Sequence, residues 1–438
     1  MNDIVKPSTL PGFQELLPED QILFNKLKDI IRKNYEFHGF YPLDTPVIEK
    51  SEVLLAKGGG ETEAQIYRFE KGSTDMALRF DLTVPLARYV AQHISELSFP
   101  FRRYQIGKVY RGERAQKGRF REFYQCDIDI IGNGELSIIN DGEIPVIIYD
   151  IFKEMGFDNF KIHVNNRKIL TGFYNSLGIE DITTVLRTVD KLDKIGKDVV
   201  FEILKEEGLT VTQVEKIGEF LNIEGSREET IEALNGLKID NDLFKEGVME
   251  LDLLTRYMED FGITEKNYGI DIKIARGLDY YTGTVYETFL NDYPELGSVC
   301  SGGRYDNLAA NYTKSKLPGV GISIGLSRLF YQLREKNIID SEKKSMLDVL
   351  IIPMEGYVEE SISLVRDLRE VGVAAGIYTE GGKMGKKFKY ADDLNIPYVA
   401  VIGENEVEKL LYTLKNMKTG EQNLYEFNAL VEEIKRSV

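Results

Sequence analysis

Residues 101–132 read FRRYQIGKVYRGERAQKGRFREFYQCDIDIIG, and this stretch decides the fold. Its two ends, 103–111 and 122–132, are rich in Tyr, Ile and Val, with partial alternation of apolar and polar side chains. Both features are typical of β-strands. Two such strands joined by a long basic loop predict a hairpin and, with it, an antiparallel sheet.

The hairpin loop lies in the sharpest basic cluster of an acidic protein. The formal net charge of −17 argues against a simple nucleic-acid coat, yet residues 102–121 hold eight Lys or Arg and one acid, Glu113. Short basic runs are most often solvated. Aromatic residues are interleaved here, and that mixture suits phosphate and a stacked base better than plain solvent. The aromatic residues are Tyr104, Tyr110, Phe120, Phe123 and Tyr124.

Length and composition indicate a soluble globular protein of several domains. A chain of 438 residues is too long for one core and predicts two to four domains. No apolar run is long enough to span a membrane, and the start shows no signal pattern. The two cysteines, Cys126 and Cys300, cannot build a disulfide framework, so a cytoplasmic location is expected. The histidines lack zinc-site spacing, so no bound structural metal is expected.

Changes of composition along the chain mark the domains. Residues 166–265 are acidic, rich in Leu, Ile, Lys and Glu, and helical by pattern, which indicates an inserted helical module. β-rich sequence precedes this module in 1–165 and resumes in 266–335. In 346–438 short apolar strands alternate with helices, which predicts a separate α/β domain with a mostly parallel sheet.

A second informative stretch is 275–283, which reads ARGLDYYTG. Glycines let a backbone approach a ligand closely, an arginine fits phosphate or carboxylate, and phenols give flat walls with polar tips. The combination indicates a pocket for a small polar ring beside an anion. An amphipathic strand with a surface arginine is the alternative that this segment alone leaves open.

Three other glycine-rich segments do not match known phosphate motifs. Residues 319–325, GVGISIG, nearly match a dinucleotide fingerprint, but a loop precedes them and the third glycine is one residue late. Residues 381–387 lack the spacing and the hydroxyl residue of a P-loop, and 58–60 suit a flexible loop better than a phosphate cradle. No Ser-His-Asp or Cys-His spacing supports covalent catalysis.

Separated arginines in β-rich or turn segments predict a phosphate-handling site. Transfer of phosphoryl or nucleotidyl groups depends on positioning and charge neutralisation, so arginines with magnesium can perform it without a nucleophilic side chain. A surface salt bridge is the better interpretation of any single arginine, but not of the whole set. The set is Arg111, Arg119, Arg276, Arg304 and Arg328.

These segments together resemble the class II aminoacyl-tRNA synthetases and, within them, the histidyl-tRNA synthetase family. Residues 104–132 resemble class II motif 2, residues 319–329 resemble motif 3, and the segment around Pro46 resembles motif 1. Residues 275–283, together with SGGRYDNL at 301–308, resemble the two signatures that are specific to histidine.

The resemblance also implies the domain organisation. It implies an α+β catalytic domain on a mostly antiparallel sheet, with 1–165 as its first part and 266–335 as its second. A helical insertion, 166–265, separates the two parts. The sequence from Lys383, KMGKKFKYADDLNIPYVAVIGENE, is similar to part of the anticodon-binding domain of this group. The resemblance therefore implies a C-terminal α/β anticodon-binding domain in 346–438.

The family's ATP-binding roles can be carried over to matching residues. Arg111, the motif 2 arginine, would hold the α-phosphate and the carboxylate of the amino acid. Glu113 would accept a hydrogen bond from the adenine amino group, and Phe123 would stack on the ring. Arg119 and Arg328 would hold the β- and γ-phosphates.

The histidine-binding roles follow in the same way. Asp81 and Gln125 would bind the ammonium group, with Thr83 beside them, and Asp129 and Tyr281 would read the two imidazole nitrogens. An acid and a phenol satisfy both nitrogens together, so an analogue lacking either leaves a buried group unpaired.

Four further residues complete the histidine site that the resemblance implies. Tyr280 and Tyr305 would lie near the ring, and Arg111 would also contact histidine. Arg276 would contact the α-phosphate from the amino-acid side, where other class II enzymes place a metal ion. Arg111 and Arg276 are therefore the expected catalytic residues.

The implied activity is ligation of histidine to tRNA(His). L-Histidine and ATP would give histidyl-adenylate and pyrophosphate, with ATP and Mg²⁺ as cofactors, and histidine would then pass to the 3′ end of the tRNA. Arg114, Gln116 and Lys117 would meet the tRNA acceptor stem. The resemblance also implies a homodimer, with the contact around Pro46.

Two positions depart from the bacterial pattern, and two alternatives remain. Many bacterial members have glutamate where this sequence has Asp81 and Asp129. In this respect the sequence resembles the eukaryote-like branch of the family.

One alternative function is the histidine-sensing regulatory subunit of ATP phosphoribosyltransferase, which shares the fold and need not aminoacylate. That subunit is expected to lack the C-terminal domain. The other alternative, a tRNA-binding or signalling module with an inactive site, predicts erosion of the active-site arginines, which this sequence retains.

Overall fold

The computed structural model describes residues 4–56, 61–114, 118–274, 280–340 and 345–436. The chain divides into two compact units, Met1–Gln14 with Leu27–Ile338 and Glu15–Lys26 with Ile339–Val438. No helix within the described ranges is long and apolar enough to cross a membrane.

The elements before residue 338 are numbered in chain order. They are α1 (Pro18–Phe37), β1 (Tyr41–Pro42), β2 (Ile48–Lys50), α2 (Ser51–Leu55), α3 (Glu61–Gln65), β3 (Arg68–Lys71), β4 (Thr74–Leu78), α4 (Thr83–Gln92), β5 (Phe101–Tyr110), β6 (Glu122–Ile131), α5 (Ile139–Glu154), β7 (Phe160–Asn166), α6 (Arg167–Ser176), α7 (Ile182–Val189), α8 (Leu192–Ile195), α9 (Lys197–Glu206), α10 (Val211–Phe220), α11 (Arg227–Gly236), α12 (Asp242–Asp260), β8 (Tyr268–Ile270), β9 (Thr284–Leu290), β10 (Cys300–Tyr305), β11 (Gly319–Ile324) and α13 (Leu326–Glu335).

The first unit is built on an eight-stranded sheet in the order β1-β5-β6-β11-β10-β9-β7-β8. β5 and β6 form the hairpin that their sequence predicts, paired from Phe101 opposite Ile131 to Tyr110 opposite Glu122. The outermost pairs, β1 with β5 and β7 with β8, are parallel, and the inner pairs are antiparallel. The prediction of a mostly antiparallel sheet is therefore confirmed. A separate three-stranded sheet has the order β2-β4-β3.

The glycine-rich segment 319–325 is mostly a strand. Gly319–Ile324 form β11, the centre of the large sheet, paired with β6 on one side and β10 on the other. α13 follows directly at Leu326. This arrangement lacks the βαβ context of a dinucleotide fingerprint.

The acidic segment between β7 and β8 is helical, as its composition predicts. Polar side chains cap five of its seven helices, with capping boxes at Thr210 and Ser226. α12, the longest of these helices, packs against α6 and also against α5, the helix that follows β6. This contact joins the helical segment to the part of the chain that precedes it.

The second unit has its own five-stranded sheet, in the order β13-β12-β14-β15-β16. Its elements are β12 (Val349–Pro353), α14 (Val358–Glu370), β13 (Ala375–Ile377), α15 (Met384–Asp393), β14 (Tyr398–Ile402), α16 (Glu404–Lys409), β15 (Tyr412–Asn416), β16 (Gln422–Tyr425) and α17 (Phe427–Arg436).

This second sheet is parallel only in part. β12 is parallel to β13 and β14, as the alternating sequence predicts, while β15 and β16 add antiparallel pairings. The prediction of a mostly parallel sheet is thus too simple. β15 and β16 are joined by a turn that is far too short for a parallel crossover, so the two strands can only be antiparallel.

Candidate active site

A cavity of about 500 Å³ opens over the middle of the large sheet, and we call it the central cavity. It gathers residues from the loop after β4 and the start of α4, the β5–β6 hairpin, β10, β11, α13 and the segment before β9. The predicted site residues that line it are Asp81, Thr83, Arg111, Glu113, Arg119, Phe123, Gln125, Asp129, Tyr280, Tyr281, Tyr305 and Arg328. Sequence positions that span more than two hundred residues therefore meet in one place.

Four predicted residues are not among those lining the cavity. Arg114 is exposed to solvent, as a tRNA contact requires. Arg276, Gln116 and Lys117 lie outside the described residues.

One wall of the cavity is a row of polar side chains on β6, which we call the polar row: Gln125, Asp127 and Asp129. Alternate residues of a strand share one face, so the three side chains point the same way. All three are buried. A buried carboxylate is costly unless it has a partner, and the partners of each member define what the row can bind.

Asp129 is held by two neighbours. The guanidinium of Arg103, fully buried and opposite in the sheet register, lies 2.7 Å from its carboxylate, and the Tyr305 hydroxyl donates to Oδ1 at 2.6 Å. Burial raises the pKa of Asp129, while the Arg103 charge and the Tyr305 hydrogen bond oppose that rise. Asp129 is thus a fixed acceptor beside an aromatic wall.

Three tyrosines form that aromatic wall. The Tyr280 ring lies 5.0 Å from the ring of Tyr281 and 5.8 Å from that of Tyr305, edge to face in both cases. Burial raises the pKa of each phenol, so all three keep their protons and can donate hydrogen bonds. A flat polar ring with two nitrogens fits such a wall.

Two glycines of β11, Gly319 and Gly321, lie directly against Tyr305 and Asp129, and we call them the glycine floor. A Cβ atom at Gly319 would collide with the Tyr305 ring, and one at Gly321 would collide with the Asp129 carboxylate. Glycine is therefore the residue that lets these two side chains lie flat against the sheet.

Gln125 is the other end of the polar row, and Asp81 lines the same cavity from the loop after β4. The Val84 amide donates to Asp81 Oδ1 at 3.1 Å, and the Gln125 amide nitrogen donates to the Ser323 hydroxyl at 2.8 Å. Burial raises the pKa of Asp81 to about 6 and that of Asp127 to about 7. A cation nearby would favour the ionised form of both carboxylates.

Arginines and an aromatic ring lie at the mouth of the cavity. Arg111 donates through Nε to the Phe80 carbonyl at 3.0 Å, and its guanidinium lies 5.1 Å from the centre of the Phe123 ring. Arg119, about half exposed, lies 3.6 Å from the Glu113 carboxylate. Arg328 donates to the Leu296 carbonyl at 3.2 Å. This end combines positive charge with a flat surface, as a nucleoside triphosphate requires.

One arginine of the sequence-based set serves the fold instead. Arg304 is buried and donates to both carboxylate oxygens of Asp141, at 3.0 and 2.6 Å, and to the Leu136 carbonyl. The interpretation of Arg304 as a phosphate-handling residue is therefore wrong, because buried partners already engage its guanidinium.

Three cavity-wall or supporting residues were missed by sequence reasoning: Arg103, Asp127 and Ser323. Asp127 carried a signal, since it alternates with Gln125 and Asp129 on one strand face. Arg103 was counted only in the basic cluster, and its burial opposite Asp129 follows from the register of β5 and β6. Nothing in the local sequence marks Ser323.

Two family models and several known relatives match the chain. The family model for histidyl-tRNA synthetase matches residues 12–329, and that for the anticodon binding domain matches residues 348–437. Histidine–tRNA ligase of Clostridium tetani is 62% identical over 436 residues, covering 99% of both chains. The corresponding ligase of Finegoldia magna is 52% identical, covering 99% of this chain and 100% of its own.

A solved structure supports the same relationship. The crystal structure of histidyl-tRNA synthetase from Nostoc sp. PCC 7120 superimposes with a TM-score of 0.91 at 39% identity, covering 99% of this chain and 100% of the other. With the family model spanning most of the sequence and relatives matching along their full length, the chain belongs to the histidyl-tRNA synthetase family.

Proposed function

We propose that the protein ligates histidine to tRNA(His). It activates L-histidine with ATP to histidyl-adenylate and pyrophosphate, and then transfers histidine to the 3′ end of the tRNA. The observation that carries this proposal is the central cavity. Along one wall it offers acceptors for a cation, then phenols for a ring, with arginines at its mouth for a triphosphate.

Histidine binds at the closed end of the cavity. Its ammonium group faces Asp81 and Gln125, with Thr83 beside them, and its imidazole lies against the tyrosine wall. Asp129 accepts from one ring nitrogen, and the Tyr281 hydroxyl serves the other. A ring that lacks either nitrogen leaves a buried polar group unpaired, so discrimination needs no editing step.

ATP binds at the mouth, as its magnesium complex. Phe123 stacks on adenine, Glu113 accepts from the adenine amino group, and Arg119 and Arg328 hold the outer phosphates. Mg²⁺ binds mainly through phosphate oxygens and water in such complexes, so it needs no dedicated protein cage.

The chemical step is an in-line displacement. The histidine carboxylate attacks the α-phosphorus, a new oxygen–phosphorus bond forms, and pyrophosphate leaves with the electron pair of the broken bond. Negative charge grows on the α-phosphate oxygens, where Arg111 neutralises it. In this proposal Arg276 contacts the same phosphate from the amino-acid side.

The tRNA contacts both units. Arg114, with Gln116 and Lys117, meets the acceptor stem, and the second unit binds the anticodon. Lys383 and Lys386 are exposed at the start of α15 and give that unit a basic edge in an otherwise acidic protein.

The protein acts in the cytoplasm as a homodimer, with the contact around Pro46. Tyr41, Val47 and Ile48 support this proposal, because all three are exposed apolar side chains beside Pro46. Mass measurement at micromolar concentration should give twice the chain mass. A chain that stays monomeric would contradict the dimer but not the activity.

The test of the activity is histidine-dependent exchange of labelled pyrophosphate into ATP, followed by charging of tRNA(His). We expect both reactions, and none with phenylalanine in place of histidine. Histidine binding without exchange would favour the regulatory-subunit alternative. Exchange without charging would confine the protein to amino-acid activation.

A further inference from the structure

Five buried oxygen atoms of the cavity lining accept no hydrogen bond from the residues that the structure describes: Asp81 Oδ2, Gln125 Oε1, Asp127 Oδ1, Asp129 Oδ2 and Gln332 Oε1. Asp129 Oδ2 lies 2.7 Å from the Arg103 guanidinium, and Gln332 belongs to α13. The remaining three, on Asp81, Gln125 and Asp127, come from β6 and the loop after β4. Buried polar atoms are almost always paired in folded proteins. Three unpaired acceptors in one wall therefore indicate a ligand with several donors and no acceptor.

Ser323 fixes the orientation of the Gln125 amide. Ser323 lies opposite Asp127 in the register of β6 and β11, and its hydroxyl opposes the rise that burial causes in the pKa of Asp127. When a bound cation keeps Asp127 ionised, its carboxylate can only accept, so the single hydrogen of the Ser323 hydroxyl is committed to Asp127. Towards Gln125 the Ser323 oxygen can then only accept, and it does so from the amide nitrogen at 2.8 Å.

We call the hydrogen bonds from Gln125 to Ser323 and from Ser323 to Asp127 the relay. Their direction decides what Gln125 can bind. With its nitrogen held by Ser323, the amide presents its oxygen as the free end. A rotated amide would present two donors instead and would repel a cation. Asp127 thus determines, through Ser323, that the end of the cavity at Gln125 is an acceptor.

We propose that Asp127 and Ser323 complete the site for the α-ammonium group of histidine: Asp127 supplies its third acceptor, and the relay orients its second, Gln125. An ammonium group has three donors and no acceptor, which matches the three unpaired oxygens. This inference rests on the proposed function and adds two residues to the site. Asp129 is not part of it, because the Arg103 guanidinium already neutralises its carboxylate and the proposed function assigns it to the imidazole.

The decisive experiment compares two ligands on one variant. L-Histidine and 3-(imidazol-4-yl)propionate share the ring and the carboxylate, and only histidine has the ammonium group. Binding of each is measured by calorimetry on the full-length protein and on Asp127→Asn. We expect histidine binding to weaken about tenfold to a hundredfold in the variant, as for loss of a hydrogen bond to a charged group. The affinity for the propionate should change less than threefold.

Ser323→Ala tests the relay independently of the Asp127 charge. Without the hydroxyl, the Gln125 amide is free to rotate, so histidine should again lose affinity selectively, by a smaller factor. Ser361→Ala is the matched control, since Ser361 is a buried serine in the second unit whose hydroxyl donates to the Tyr357 carbonyl. It should leave both affinities unchanged.

The outcomes separate this inference from the proposed function. Equal weakening of both ligands in Asp127→Asn, with the fold intact by circular dichroism, would assign Asp127 a structural role and overturn the inference. Unchanged histidine affinity in Asp127→Asn would overturn it as well. Failure of the parent protein to bind histidine at all would instead contradict the proposed function.

Discussion

At the scale of single residues, the central cavity separates two tasks by position. Acceptors and phenols lie at its closed end, and Arg111 lies at the mouth beside Phe123. This separation means that substitutions at the two ends should affect different kinetic constants.

Arg111→Ala should slow adenylate formation by about a hundredfold to a thousandfold, because a preorganised donor to the developing charge is lost. Pyrophosphate exchange measures this, and Arg111→Lys should restore little, since lysine lacks the planar fork. Arg68→Ala is the control, because Arg68 is half exposed and pairs with Asp75 away from the cavity. An exchange rate in Arg111→Ala within threefold of the parent would disprove this role.

Tyr281→Phe should weaken histidine binding about tenfold to a hundredfold and leave the KM for ATP nearly unchanged. The substitution removes one hydrogen bond to the ring and keeps the aromatic surface. Exchange kinetics with each substrate varied in turn measure both constants. Equal effects on histidine and ATP would show that Tyr281 does not read the imidazole.

Twelve of the residues that sequence reasoning assigned line the central cavity, and its omissions have a physical cause. Glu113, Phe123 and Asp129 were recognised because a motif fixes their spacing. Ser323 was missed because its role depends on the pairing of β11 with β6, which no local pattern reveals. Arg304 was misassigned because its flanking glycines resemble those of a phosphate site, while its partner Asp141 lies far away in the sequence.

At the scale of elements, the ion pair between Arg304 and Asp141 joins β10 to α5. Both side chains are buried, and Asp141 is fully so. Asp141→Asn should lower the free energy of unfolding by about 3 to 5 kcal/mol, because it leaves the Arg304 charge buried and unpaired. Urea unfolding measures this. Asp158→Asn is the control, since it breaks an exposed pair with Lys153 and should change stability little.

The polar row on β6 predicts how stability depends on pH without ligand. Burial raises the pKa of Asp127 from 3.8 to about 7 and that of Asp81 to about 6. The folded protein therefore holds protons that the unfolded chain releases, and this contribution to stability is lost as the pH rises from about 4 to about 7. The melting temperature should fall between about pH 4 and pH 7, and fall less in Asp127→Asn. An equally steep fall in that variant would contradict this source.

The elements themselves were largely predictable. The β5–β6 hairpin follows from alternation in the sequence, and the helical segment after β7 follows from its composition. β11 was not recognised as a strand, because its glycines are required by contacts with Tyr305 and Asp129 rather than by its own backbone preference. The antiparallel strands β15 and β16 were not predicted either, since they lie in a polar, half-exposed stretch without clear alternation.

At the scale of the whole molecule, the two units predict separable activities. Lys383→Ala with Lys386→Ala should raise the KM for tRNA(His) in charging, and should make it less dependent on salt, because two phosphate contacts are lost. Pyrophosphate exchange, which needs no tRNA, should be unchanged. The matched control is Lys409→Ala with Lys418→Ala, two exposed lysines of the same unit. A loss of exchange in the first pair would contradict the separation.

The glycine floor under Asp129 and Tyr305 has a consequence for evolution and engineering. A side chain at Gly319 or Gly321 meets the recognition residues themselves, so the bottom of the site cannot be filled gradually by larger residues. Acceptance of another amino acid would have to come from replacing the tyrosines or the acids in a single step. A designed change of specificity should therefore keep both glycines and alter the side chains that lie on them.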